Sequence, residues 1–308
     1  MLRLRDVSKA YPGVRALDAV SVELEAGEIH GIVGENGAGK STLLGIVSGA
    51  VIPDRGHMEL DGAKVAFAGP SEARALGIAV VHQHFQSALG LSVTENVLLG
   101  ARALSRGFVN WRGVHREAEK VFNDLGVDLD VRLPVRALNA AQRKFVEIGR
   151  AMHGAATVVL LDEPTAALDA EDAERLFAAM NVLRRRGLAV AFVSHRLEEV
   201  LAVTDRVTVL RDGRLIGAWA TEALSRETLI AHMVGRELSD SSLEHEEPRP
   251  NIVLDARGVS VADGVHQVDL KVREGEIVGL AGLLGSGRRE LAKALFGAIR
   301  LSECQVLV

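Results

Sequence analysis

Short apolar runs alternate with amphipathic stretches along most of the chain. Continuous apolar runs at residues 158–161 and 188–193 predict strands buried on both faces, as in a parallel sheet. The pattern of apolar and polar residues predicts further strands at residues 2–7, 20–24, 29–33 and 78–82. It predicts helices at residues 41–48, 114–125, 141–153 and 170–186. Alternating buried strands and helices indicate a layered α/β domain.

The start of this pattern occurs twice along the chain. The segment that begins at Glu25 reads like the segment that begins at Arg273, 248 residues later. A period this long indicates a duplicated domain, since solenoid repeats have periods of about 20–50 residues. The matched positions are Gly27, Gly31, Gly34, Gly37, Gly39, Leu43 and Gly49 in the first copy, and Gly275, Gly279, Gly282, Gly285, Gly287, Leu291 and Gly297 in the second.

A polar segment separates the two copies. Residues 236–250 are acidic, contain two prolines and lack an apolar stripe, which predicts a linker. The first copy then occupies residues 1–235, and the second occupies residues 251–308 and includes only the beginning of the pattern. Because so short an α/β segment buries little core, we expect the chain to be the front part of a longer tandem protein.

Composition restricts the possible classes of protein. The chain has 308 residues, and its 36 Lys and Arg against 41 Asp and Glu give a formal net charge of −5. It therefore lacks the strongly basic composition that is typical of nucleic-acid-binding domains. A hydrophobic fraction of 48% excludes wholesale disorder, and no apolar run reaches the roughly 20 residues of a membrane span. The one cysteine, Cys304, cannot form an internal disulfide, which agrees with a reducing cytosol.

A glycine-rich loop lies between the predicted strand 29–33 and the predicted helix 41–48. The loop from Gly34 to Ser41 reads Gly-Glu-Asn-Gly-Ala-Gly-Lys-Ser, which fits the phosphate-loop pattern G-x-x-x-x-G-K-[ST]. Glycines let backbone N–H groups approach phosphates, and a helix N-terminus adds N–H donors and partial positive charge. Lys40 would reach the β- and γ-phosphates of a nucleotide, and the Ser41 hydroxyl would hold Mg²⁺.

Polar residues follow three of the predicted buried strands. Asp162 and Glu163 follow the strand 158–161, at the end where α/β sheets place ligands. We expect Asp162 to hold Mg²⁺ through water, and Glu163 to polarise the attacking water as a general base or by positioning it. His195 follows the strand 188–193 and could contact the γ-phosphate, and Gln83 follows the strand 78–82 and could sense the metal or the water.

Taken together, these residues resemble the nucleotide-binding domain of ABC transporters over essentially all of residues 1–235. The resemblance implies an α/β P-loop NTPase fold with an antiparallel β edge and an α-helical subdomain at about residues 90–155, followed by the start of a second, degenerate cassette. It also implies ATP and Mg²⁺ as cofactors, with Tyr11 stacking on adenine. The implied nucleotide-binding residues are Tyr11, Gly34, Glu35, Asn36, Gly37, Ala38, Gly39, Lys40, Ser41 and Thr42. The implied metal ligands are Ser41, Gln83 and Asp162, and the implied catalytic residues are Glu163, His195 and Gln83. Asp169 is the implied D-loop residue.

The tandem layout narrows the resemblance to one group of transporters. Two fused cassettes, a short linker and the stretch 194–200 resemble the ATPase subunit of bacterial monosaccharide importers, while residues 82–85 are also similar to nucleoside importers. This resemblance implies ATP hydrolysis that energises import of a sugar or a related small solute, by a peripheral protein on the cytoplasmic face of the cell membrane. The implied partners are integral-membrane permease subunits, a second ABC cassette and, indirectly, a solute-binding protein, with no nucleic acid.

The chain departs from the family pattern at the ABC signature. The family sequence Leu-Ser-Gly-Gly-Gln is replaced by Leu138, Asn139, Ala140, Ala141 and Gln142. In this family the signature of one cassette covers the ATP that is bound on the other. The two added methyl groups crowd a surface built for close backbone approach, although the asparagine could still donate a hydrogen bond.

The second phosphate loop is altered as well. Arg288 and Arg289 stand where the first copy has Lys40 and Ser41, so a hydroxyl ligand of Mg²⁺ is lost. We therefore hypothesise one degenerate composite site in the full-length protein. The chain alone is expected to bind Mg-ATP and to hydrolyse it slowly.

Two other functions are compatible with a P-loop ATPase. A soluble tandem ABC ATPase acting on ribosomes or nucleic acid is disfavoured by the short acidic linker and the negative net charge. A non-catalytic module, in which nucleotide binding serves only as a dimerisation switch, is favoured for this fragment, but not for its parent protein, by the altered signature and the missing second half.

Overall fold

The computed structural model describes residues 1–82, 87–99, 109–154, 156–166, 168–235, 249–261, 264–282, 285–299 and 303–307. The chain divides into two units, Met1–Leu238 and Ser239–Val308. Among these residues, no helix has the length and apolarity needed to span a membrane. The predicted linker, residues 236–250, lies largely outside the described part of the chain.

Ten strands and eight helices are described in the first unit. The strands are β1 (Leu2–Tyr11), β2 (Val14–Leu24), β3 (Ile29–Val33), β4 (Arg55–Leu60), β5 (Ala63–Val65), β6 (Ile78–Val81), β7 (Val158–Asp162), β8 (Ala189–Val193), β9 (Arg206–Arg211) and β10 (Arg214–Ala220). The helices are α1 (Lys40–Val47), α2 (Pro70–Ala75), α3 (Val93–Val97), α4 (Trp111–Leu125), α5 (Ala140–His153), α6 (Ala170–Arg185), α7 (Leu197–Val203) and α8 (Arg226–Val234).

These strands form two sheets of different character. One is antiparallel with the order β2-β1-β4-β5, and the other has the order β10-β9-β3-β8-β7-β6. In the second sheet β3, β6, β7, β8 and β9 run parallel, and β10 is antiparallel to β9. The first four residues of β7 and all residues of β8 are buried, which explains why these two strands appear as continuous apolar runs. The layered α/β architecture expected from the sequence is confirmed.

The parallel sheet is covered on both faces by apolar side chains. Leu161 packs in a core with Phe122 and Phe192, whereas its neighbour Leu160 packs on the opposite face with Leu43. Successive residues of a strand point to opposite faces, so one run of leucines and valines supplies both cores. The parallel arrangement brings the carboxyl ends of β3, β7 and β8 to one edge of the sheet.

Three elements extend clearly further than the sequence pattern predicts, and β1 is one of them, since it continues to Tyr11 rather than ending at residue 7. β2 begins at Val14 rather than at residue 20, because Val14 pairs with Tyr11 at the tip of an exposed hairpin. α4 begins at Trp111 rather than at residue 114, and the Asn110 side chain caps it by accepting a hydrogen bond from the Gly113 N–H. The added parts of β1 and α4 contain no buried residue and that of β2 contains one, Leu17, so none of them shows a regular apolar alternation.

The second unit repeats the beginning of the first. It contains β11 (Ile252–Val261), β12 (Val265–Arg273), α9 (Arg288–Leu295) and β13 (Glu303–Leu307), and its antiparallel sheet has the order β12-β11-β13. A small core joins the sheet to α9 through Val259, Val265 and Leu291. Ile277, the counterpart of Ile29 in β3, is 86% exposed, whereas Ile29 is fully buried between β8 and β9.

Candidate active site

The phosphate loop connects β3 to α1 and requires glycine at two positions. A Cβ atom at Gly34 would lie 2.3 Å from the backbone oxygen of Leu210, and one at Gly39 would lie 2.5 Å from that of Ala16. Gly39 also has a φ of 102°, a left-handed conformation that turns the chain into α1 at Lys40. The second unit repeats this geometry, since Gly287 has a φ of 82° and begins α9.

Lys40 holds the loop together and faces two carboxylates. Its Nζ atom donates hydrogen bonds to the backbone oxygens of Gly34, at 2.7 Å, and Glu35, at 3.0 Å. Burial lowers the pKa of Lys40, and the negative charges of Glu163 and Asp162 oppose that shift. The structure therefore brings Lys40 close enough to the carboxylates of Asp162 and Glu163, at the end of β7, for their charges to interact.

Asp162 ends β7 in a partly buried environment. Burial raises its pKa, the adjacent Glu163 charge raises it further, and electrostatic interactions with His82, Lys40 and Lys144 lower it. Burying two neighbouring carboxylates is unfavourable, and a cation near them would relieve the repulsion. The Asp162 carboxylate and Lys40 at the N-terminus of α1 together fit a phosphate group accompanied by Mg²⁺.

Glu163 follows Asp162 in a strained backbone conformation. Its φ is 44°, which is uncommon for a residue other than glycine, and such strain concentrates at functional sites. Its N–H donates a hydrogen bond of 2.9 Å to the backbone oxygen of Val193, at the end of β8. His195 Nδ1 lies 3.4 Å from Glu163 Oε1, so the ends of β7 and β8 bring the acidic and the histidine side chains into contact.

Other predicted nucleotide-binding residues lie on the loop and next to it. Glu35, Asn36, Gly37 and Ser41 are exposed, Thr42 is partly exposed, and Ala38 is buried. Tyr11 ends β1 with 41% of its surface exposed, and the Lys9 ammonium lies 5.8 Å from its ring centre. Gln83, predicted as a catalytic and metal-sensing residue, lies outside the described residues.

The substituted signature begins α5. The Asn139 side chain accepts a hydrogen bond of 2.8 Å from the Gln142 N–H, and the Gln142 side chain accepts one of 3.1 Å from the Asn139 N–H. This reciprocal capping box satisfies two donors at the start of the helix. Leu138 and Ala141 are buried, whereas Asn139 and Ala140 are exposed. The asparagine oxygen is therefore already used within its own helix.

The D-loop residue Asp169 has a similar local role. Its side chain accepts a hydrogen bond of 2.9 Å from the Asp172 N–H and caps α6. Ala167, two residues before it, lies outside the described residues. An N-terminal cap of this kind needs no other part of the fold.

Three residues near the site had no assigned role in the sequence analysis. His82 and Lys144 both face Asp162, and burial lowers the pKa of each. Glu199, in α7, accepts hydrogen bonds from Thr165 and Ser194, which flank the Glu163 and His195 segments. These residues lie far apart in the sequence or show no periodic pattern, so no local signal could have identified them.

A cleft of about 470 Å³ lies beside β6 and α5. Its lining includes Arg74, His82, Glu147 and Arg150 together with apolar residues. Burial lowers the pKa of Arg150, and the neighbouring positive charge of Arg74 lowers it further. The cleft therefore combines apolar surface with an excess of positive charge.

Comparison with known protein families gives a match within the first unit. Residues 17–166 match the family model described as ABC transporter. The ribose import ATP-binding protein RbsA 2 of Rubrobacter xylanophilus is 46% identical over 299 residues, which cover 96% of this chain and 58% of that protein. The arabinose import ATP-binding protein AraG 2 of Burkholderia cenocepacia is 42% identical over 303 residues, which cover 98% of this chain and 59% of that protein. The chain thus spans about three fifths of the length of these relatives.

Solved structures match the first unit in its fold. The ADP conformation of MJ1267, an ATP-binding cassette of an ABC transporter, has a TM-score of 0.67 and 26% identity and covers 77% of this chain and 99% of that chain. A nucleotide-free ATP-binding cassette from an ABC transporter has a TM-score of 0.65 and 26% identity and covers 76% of this chain and 95% of that chain. The fold expected from the sequence, an ABC-type P-loop cassette, is confirmed.

Proposed function

We propose that the first unit, in which residues 17–166 match the ABC transporter family model, binds and hydrolyses ATP to energise import of a sugar. The observation that carries the proposal is the convergence of Lys40, Asp162, Glu163 and His195 at one edge of the parallel sheet. The names of the relatives support sugar import, so an ATPase acting on ribosomes or nucleic acid is not favoured.

Each residue of the cluster has a defined part in this reaction. Backbone N–H groups of the loop bind the phosphates, and Lys40 exchanges its bonds to Gly34 and Glu35 for bonds to phosphate oxygens. Glu163 accepts a proton from the attacking water or orients it, and His195 contacts the γ-phosphate. Ser41 and Asp162, with the sequence-predicted Gln83, would hold Mg²⁺, which would supply positive charge beside the phosphates.

The partner in this proposal is an integral-membrane permease at the cytoplasmic face of a bacterial membrane, with a solute-binding protein acting indirectly. The cleft beside β6 and α5 fits a permease helix that carries a carboxylate, because Arg74 and Arg150 supply positive charge next to apolar walls. A second ABC cassette completes the composite sites, and residues 251–308 form the beginning of such a cassette.

The test separates nucleotide binding from hydrolysis in the full chain. Mg-ATP binding is measured by calorimetry, and phosphate release is measured under saturating Mg-ATP for the wild type and for Glu163→Gln. We expect saturable binding in both proteins, and a turnover in the variant that is lower by about 100-fold. The control is Glu174→Gln, at an exposed acidic position of α6. Absence of Mg-ATP binding, or equal turnover in wild type and Glu163→Gln, would contradict the proposal.

A further inference from the structure

The carboxylate of Glu199 joins two loops at the candidate active site. Its Oε2 atom accepts hydrogen bonds from the hydroxyl groups of Thr165, at 2.7 Å, and Ser194, at 3.3 Å. Its Oε1 atom accepts a hydrogen bond of 2.8 Å from the Arg196 guanidinium. The Glu199 side chain is 13% exposed, so its carboxylate is held mainly by protein groups rather than by water.

The two hydroxyl groups belong to the segments that carry the reactive side chains. Thr165 lies two residues after Glu163, and Ser194 immediately precedes His195. Both hydroxyl residues are 2% exposed. A charged acceptor that receives bonds from both segments therefore restrains their separation, because buried charge-assisted hydrogen bonds are strong and costly to break.

We propose that Glu199 is a positioning residue that keeps Glu163 and His195 in contact. It acts through Thr165 and Ser194 and touches neither reactive side chain in the described contacts. The backbone bond between Glu163 and Val193 aligns the two strand ends, and Glu199 restrains the loops that continue beyond them. The proposal rests on the proposed ATPase function of the first unit.

The variant Glu199→Gln tests the carboxylate without changing the size of the side chain. The substitution Glu199→Gln replaces one acceptor oxygen by an NH₂ group, which cannot accept the bonds that reach it. At least one of the donors on Thr165, Ser194 or Arg196 then loses its acceptor. Thr165→Val is a milder test, because it deletes only one hydroxyl group of the cluster.

The first measurement compares hydrolysis and binding in the full chain. We expect Glu199→Gln to lower the rate of Mg-ATP hydrolysis by about tenfold or more, because small misplacements of catalytic groups are costly, while the Kd for Mg-ATP changes by less than about twofold. The matched control is Glu198→Gln, an adjacent position in α7 whose side chain is 68% exposed and pairs with Arg226. Equal loss in both variants, or loss of binding together with rate, would overturn the proposal.

The second measurement does not depend on hydrolysis. The imidazole signals of His195 are assigned in NMR spectra by comparison with the His195→Gln variant. The measured quantity is the change in the chemical shifts of this imidazole that Glu163→Gln causes at one fixed pH. We expect a clear change in the wild-type background and less than half of that change in the Glu199→Gln or Thr165→Val background. A change of equal size in all backgrounds would overturn the proposal, even if the variants melt at lower temperature. A chain that binds no ATP but shows the expected NMR result would contradict the ATPase function and leave the positioning role supported.

Discussion

The Nδ1 atom of His195 lies 3.4 Å from the Oε1 atom of Glu163, although the two residues follow different strands. The contact depends on the register of the parallel sheet, in which Asp162 is paired with Val193. A shift of either strand by one residue would reverse the face on which each side chain lies. The register between β7 and β8 therefore also sets the geometry of the candidate catalytic pair, Glu163 and His195.

Removal of the loop lysine should impair nucleotide binding. We expect Lys40→Ala to weaken Mg-ATP binding by about tenfold or more, because a charge-assisted hydrogen bond contributes about 1.5–3 kcal/mol. Calorimetric titration of the full chain measures this loss, and Lys120→Ala, at an exposed position of α4, is the control. An unchanged Kd in Lys40→Ala would show that the phosphates bind elsewhere.

Neutralising Asp162 should stabilise the nucleotide-free protein while weakening its response to Mg²⁺. Burial and the neighbouring Glu163 charge raise the pKa of Asp162, so its ionised form lowers the free energy of unfolding at pH values above that pKa. Below the pKa of the unfolded chain the group is neutral in both states, and the penalty disappears. Asp162→Asn should therefore raise the Tm by a few degrees at neutral pH, and this gain should vanish as the pH falls. A lower Tm in Asp162→Asn at neutral pH would argue against the predicted cost of the charge.

Asn139 should contribute to stability through its helix cap. We expect Asn139→Ala to lower the free energy of unfolding by about 1 kcal/mol, because the Gln142 N–H loses its acceptor. Asn139→Ser, which retains a capping oxygen and also restores the family residue, should leave it nearly unchanged. Thermal melts of the two variants measure the difference, and equal destabilisation would show that the cap is unimportant.

The turnover of the chain should be low and proportional to its concentration. The Asn139 oxygen is used in its own helix and Ala140 adds a methyl group beside it, so two copies should not form a productive composite site. Phosphate release at saturating Mg-ATP, measured over a wide range of protein concentration, tests this expectation. A rate that rises faster than linearly would mean that two chains pair and that the substituted signature is functional.

The phosphate loop could be predicted because its signals are local. A strand, two sterically required glycines, a lysine and the start of a helix all lie within 34–41 and its immediate flanks. The caps at Asn139 and Asp169 are likewise formed with residues three positions away. The starts of β2 and α4 are not predicted, since the first buries one apolar residue, Leu17, the second buries none, and neither shows a repeating apolar pattern.

The sequence by itself determined the two-copy organisation, the buried parallel strands and the identity of the residues at their ends, because hydrophobic periodicity and glycine spacing are properties of the chain. Only the tertiary structure decided which of these residues meet. The pairing of β7 with β8 brings Glu163 to His195, and α7 brings Glu199 to the hydroxyl groups of Thr165 and Ser194. Contacts between segments so distant along the chain depend on strand order, register and packing, which no local pattern encodes.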